Sequence, residues 1–81
     1  GMGMGSSREE MMESMTGKSG DELDKAFMTA MMPHHQGAIA MAKAIGNTAY
    51  HQELRLMAKD IIEAQTKEIE MMQGWMKQWG Y

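Results

Sequence analysis

Apolar residues recur every three or four positions along most of the chain, and that pattern predicts helices. From Asp21 to Ile45, Met28, Met31, Met32, His35, Ala38, Ile39 and Ala42 fall on one stripe at 100° per residue. Phe27, His34, Met41 and Ile45 lie along one edge of it. From Ala49 to Trp79 a second stripe holds Leu54, Met57, Ala58, Ile61, Gln65, Glu68, Ile69, Met72, Trp75, Met76 and Trp79. A shorter segment, about Arg8 to Thr16, shows only Met11, Met12 and Met15. The expectation is three helices, at about 8–16, 21–45 and 49–79, within one domain spanning 8–81.

Punctuation residues support these limits. Ser7 with Glu10 and Ser19 with Glu22 each have the S-x-x-E spacing of a capping box, and Gly17, Gly46-Asn47 and Gly80 are natural stops. The third helix takes Asn47 or Thr48 as its N-cap and is roughly 46 Å long. Pro33 lies inside the second helix and removes one backbone donor, so a kink is expected with the helix resuming beyond it. Two to four residues join the long helices, which therefore form an antiparallel hairpin. The fold class is all-α, a long hairpin with a short leading helix. Residues 1–7, rich in Gly, Met and Ser, read as a disordered leader or cloning remnant.

Composition changes the picture. Eighty-one residues make a small domain with a marginal core. Cysteine is absent, which excludes disulfides and thiolate zinc sites. Eleven acids against eight bases give a net charge of −3, with no basic stripe for nucleic acid. No apolar run is long enough for a membrane span, and no signal peptide is evident. Thirteen residues are methionine, ordinarily a minor residue. Thioether sulfur is soft, and soft sulfur ligands select Cu(I).

Met28, Met31, Met32 and His35 follow i, i+3, i+4, i+7 spacing and can address one volume. Methionine also fills adaptable cores, so each thioether has a purely structural reading as well. His34 points about 100° from His35 and can be a ligand or a surface residue. Gln65 and Glu68 interrupt an apolar face near the level of Met28 and Met31. A carboxylate there needs a cation or a hydrogen-bond donor, and Glu68 can complete a metal shell or fix the His35 tautomer. His51, near the turn, suits a solvated or capping role. Met2, Met4, Met11, Met12 and Met15 suit either a flexible soft-metal site or a docking face, and Met71 a subunit contact. Nucleophile–base pairs, phosphate loops and H-E-x-x-H are missing, and no Glu precedes a histidine by three residues as di-iron bundles require.

The string Phe27-Met28-Thr29-Ala30-Met31-Met32-Pro33-His34-His35-Gln36-Gly37-Ala38-Ile39-Ala40-Met41-Ala42 resembles the hallmark of the domain of unknown function 305 family. Glu53 to Ala58, Ile61-Ile62 and Gln65-x-x-Glu68-Ile69-x-x-Met72-x-x-Trp75 fit as well, so the resemblance covers about residues 21 to 79. It implies a ferritin-like helical fold, export to the periplasm or cell exterior, and copper or silver binding through Met and His. Carried onto this chain, it points to Met28, Met31, His34, His35, Met41, Gln65, Glu68 and Met72 as metal-site residues. Many members hold two hairpins in one chain, whereas this sequence has one. The expected unit is therefore a homodimer closing a four-helix bundle.

The functional expectation is a non-catalytic carrier that binds Cu(I), with Ag(I) as mimic, for sequestration or hand-over, with no organic cofactor. Affinity should weaken in acid, because a ligating histidine must be neutral. Two alternatives stand beside it: a Met-rich helical interaction module without metal, and a metal-dependent enzyme on a ferritin-like scaffold.

Overall fold

The computed structural model describes residues 7–81. The expected leader, with Met2 and Met4, lies outside the described residues apart from Ser7. Three helices follow in order: α1 Arg8–Met15, α2 Gly20–Thr48 and α3 Gln52–Trp79. Among the described residues there is no strand, and no helix is long and apolar enough to cross a membrane.

At the start of α1 the expected capping box forms. Glu10 N–H donates to Ser7 Oγ at 3.2 Å, and Ser7 N–H donates to the Glu10 carboxylate at 3.1 Å. These bonds satisfy two backbone donors that a helix start leaves unpaired. Gly17 leaves the segment at φ 76. α1 docks on α2 beside Ala26, Thr29, Ala30 and Pro33 but buries none of its own residues.

The second capping box does not form, since the Ser19 side chain makes no cap hydrogen bond. Gly20 adopts φ 57, so the chain enters α2 through a left-handed residue rather than the geometry the box uses. α2 then runs unbroken past Pro33. It also continues past the expected stop at Gly46-Asn47 to Thr48, and α3 begins at Gln52 rather than Ala49. His51 is the residue before α3; its carbonyl accepts from Leu54 and Arg55 N–H, but its ring makes no cap bond. The turn is clasped from the other side: Arg55 Nη1 donates to the Ala49 carbonyl at 2.7 Å and the Tyr50 carbonyl at 3.0 Å. At the far end Gly80 adopts φ 76, and Tyr81 O–H donates to Asp21 at 3.0 Å, tying the end of α3 to the start of α2.

α2 and α3 pack as the expected antiparallel hairpin, through a narrow seam. On α2 Met28, His35 and Ala42 are buried at seven-residue steps, with Gly37 buried beside them; on α3 Ala58 and Met72 are buried fourteen residues apart. Met28 and Met72 line one groove near the open end, and Ala42 and Ala58 line another near the turn. Among the described residues no side chain is fully buried, and two of the four apolar core residues are alanine.

Candidate metal site

The seam is polar in its middle. His35, 7% exposed, stands between the methionine pair and the alanine pair. Its Nδ1 lies 2.8 Å from the Met31 carbonyl oxygen one turn back. A carbonyl only accepts, so Nδ1 carries hydrogen and donates. Its Nε2 lies 2.5 Å from Glu68 Oε1 across the hairpin. With the Nδ1 proton fixed, this second contact needs a proton of its own between nitrogen and carboxylate.

Glu68 was expected to sit within an apolar face, yet its side chain is 54% exposed. It lies at the rim, leaning inward with one oxygen while the remainder meets solvent. Gln65 is half-buried, and its Oε1 is shut from solvent without a hydrogen-bond partner. Of the three polar groups expected to converge, His35 and Glu68 meet, while the Gln65 oxygen remains unsatisfied.

The eight candidate residues occupy three levels rather than one point. Met28 and Met72, 4% and 5% exposed, form the first level, beside a groove lined by Leu23, Asp24, Phe27, Trp75 and Trp79. His35, Gln65 and Glu68 form the second, about 10 Å further along α2, at seven residues of 1.5 Å each. Met31 is half-buried and contributes its carbonyl there. His34 is exposed, its ring 6.4 Å from that of His35 in an edge-on arrangement. Met41 lies with Ile45, Leu54, Met57 and Ile61 in a second apolar groove, 60% exposed and roughly 20 Å along the helix from Met28. Sequence spacing identified the shared face but not the separation in height.

Among the described residues no three His, Cys, Asp or Glu side chains gather as a metal-holding group. The donors that fit a metal are soft instead: two buried thioethers from opposite helices, with an imidazole one level away. Because His35 Nδ1 donates to Met31, only Nε2 can ligate, and an ion there must replace the proton shared with Glu68. Trp75 and Trp79, whose rings stack 5.9 Å apart at 5°, wall the thioether groove. Sequence reasoning placed both on the stripe without assigning them a site; their spacing from Met72 was the available signal.

The fold and this seam define a class: a small all-α protein whose helical hairpin carries buried methionine and histidine. The family described as domain of unknown function (DUF305) matches residues 1–76, and the chain belongs to it. It is also similar, at 41% identity over 49 residues, to an uncharacterised protein of Acanthamoeba polyphaga mimivirus; the match takes in 60% of this chain and 32% of that protein. No solved structure matches.

Proposed function

We propose that this protein binds a soft monovalent ion, Cu(I) with Ag(I) as its mimic, and carries it as a homodimer outside the cytoplasm, for sequestration or hand-over. It is a carrier rather than a catalyst. The observation that carries the reading is the pair Met28 and Met72, two buried thioethers presented by opposite helices one level from a buried histidine. Thioethers ligate without deprotonation, and soft sulfur favours Cu(I) over the harder ions that carboxylates hold. Met31 and His35 extend the donor set toward Glu68, which with the Met31 carbonyl orients the imidazole, and Gln65 is available to complete the shell. His34 and Met41 lie on the exposed face beside the seam, and Met41 is too far along α2 to share an ion with Met28.

Anaerobic Cu(I) titration against a competing chelator tests this. The parent protein should compete. Met28→Leu with Met72→Leu, which keeps core volume, should weaken binding at least about tenfold, near 1.4 kcal/mol. His35→Ala should weaken it less. A parent that never competes, or a double variant with unchanged affinity, overturns the reading.

A second reading, an interaction module without metal, is favoured by one observation: Phe27, Met41, Met57, Trp75 and Trp79 remain 39–60% exposed. It would be preferred if the parent protein pairs with helical partners and takes up no Cu(I).

A further inference from the structure

The molecule measures 45 × 27 × 15 Å between its outermost Cα positions along the principal axes. Domains bury apolar faces between at least two packed layers, yet no described side chain of this hairpin is fully buried.

One broad face of the hairpin shows what is left uncovered. On α2, Phe27, Met41 and Ile45 are 47%, 60% and 45% exposed; on α3, Leu54, Ile61 and Trp75 are 45%, 37% and 39% exposed. Helical spacing puts them on the same side as His34 and Glu68. The two apolar grooves, one by the Trp pair and one by Met41 and Ile61, open on this side.

We propose that this face is covered by a second copy of the chain, related by a two-fold axis parallel to the helices. Each α2 then lies antiparallel against the partner's α3. Three observations select a second copy over another occupant. The face is banded, and the bands match when it meets itself this way: Phe27 opposes the partner's Trp75, Met41 opposes the partner's Ile61, and polar meets polar between them. The polar band is complementary as well, since His34 on α2 opposes the partner's Glu68, imidazole against carboxylate. Finally, two helices each about 10 Å wide along a 45 Å molecule offer a footprint of roughly 900 Å², against about 800 Å² per partner in a standard interface.

Pairing also completes the polar seam. In a lone chain the Glu68 side chain is 54% exposed. In the pair it is enclosed, with His35 on its own chain and the partner's His34 across the interface. The inference rests on the reading of the chain as half of a paired carrier, but the pairing itself needs no ion.

Sedimentation of the metal-free chain over a wide dilution series tests it. The expected mass at high concentration is a dimer. Met41→Glu, at an already exposed position, should shift the species to monomer with at least about a hundredfold weaker association, while Lys59→Glu on the opposite face should leave it unchanged. The chain has no cysteine, so single cysteines report register: Met41→Cys protein mixed with Ile61→Cys protein should oxidise to the mixed dimer in preference to either self-dimer. A parent that stays monomeric, or cysteine variants that cross-link only statistically, overturns the proposal. Failure is separable from failure of the copper reading, since a metal-free dimer that takes up no Cu(I) supports the pairing and removes only the ion.

Discussion

The two broad faces of the hairpin are made from the same two helices, yet they leave different chemistry at the surface. One exposes Phe27, Met41, Ile61, Trp75 and Trp79. The other is lined by Lys43, Asn47, Arg55, Lys59 and Glu63 near the turn and by Thr66, Lys67 and Glu70 further along. Ile62 lines the same grooves as those charged residues and is half-buried. Ile61, its neighbour in sequence, points about 100° away and is more exposed. Scattered apolar exposure is ordinary on any protein, but segregation onto one face marks a surface built for contact.

The adjacent isoleucines give the largest test of that contrast. Ile62→Ala removes packing inside the chain and should cost about 1–2 kcal/mol at every protein concentration, less than a fully buried isoleucine would. Ile61→Ala should leave the dilute monomer within about 0.5 kcal/mol of the parent. It should destabilise only where the parent is paired, because association adds stability by mass action. Urea unfolding at several protein concentrations separates the two. Equal, concentration-independent losses would erase the distinction between the faces.

Next in size is the polar band that divides the apolar face. Glu68→Ala strips His35 Nε2 of its partner while the Met31 carbonyl still holds Nδ1. The expected cost is about 1 kcal/mol, a modest value because the carboxylate side is half-exposed. Glu68→Gln should cost less, since an amide N–H can donate to a bare Nε2. Nitrogen chemical shifts of the ring should then report hydrogen on Nδ1 alone. If Ala and Gln cost the same, the contact with His35 contributes nothing to the fold.

Much of this was legible in the sequence, and the exceptions have physical causes. The hairpin, the Ser7 cap, the Gly80 stop and the meeting of His35 with Glu68 follow from helical periodicity plus a short connection, which together fix register. The turn was not legible. Gly46-Asn47 carries a stop signal, but Gly46 packs toward Ala58, and Arg55 satisfies the carbonyls of Ala49 and Tyr50, so the chain stays helical to Thr48 and turns later. Ser19 carries the same motif as Ser7 and fails to cap because the following residue is a glycine at φ 57. The candidate site was legible as a face and not as a place: a seven-residue step keeps the direction of a side chain while moving it about 10 Å along the axis. Met28 and His35 therefore share a side of the helix without sharing a point, while Met41, thirteen residues beyond Met28, lies on the neighbouring exposed face.

Gly46 offers a smaller and opposite effect, since it lies on the charged side of the seam. A Cβ there would meet the Ala58 Cβ at 3.8 Å, ordinary van der Waals contact, and the residue is helical without positive φ. Gly46→Ala should therefore stabilise the chain by about 0.5–1 kcal/mol, through lower entropy of the unfolded state and better helix propensity. Thermal unfolding reads it. A loss would mean that the junction needs the flexibility of glycine, and that the helix past Gly46 is held more weakly than its packing implies.

The smallest effect belongs to α1, which lies outside the seam and buries no residue. There the Ser7 backbone N–H, the leading cause, holds the Glu10 carboxyl below its ordinary 4.5, with the Ser7 hydroxyl adding to it. A carboxyl depressed in the folded state stabilises the helix start above its unfolded value and loses that contribution as pH falls through the folded one. Acid titration to below 4.5 should therefore fray α1 while α2 and α3 keep their amide protection. Ser7→Ala should cost about 1 kcal/mol of local cap stability and weaken, without abolishing, the pH dependence of α1, because the backbone N–H of residue 7 still holds the Glu10 carboxylate. Amide exchange resolved by residue distinguishes this from global unfolding. Protection lost together from all three helices would show that α1 is coupled to the hairpin more tightly than its exposed face allows, and that the second layer of this fold begins with its own first helix.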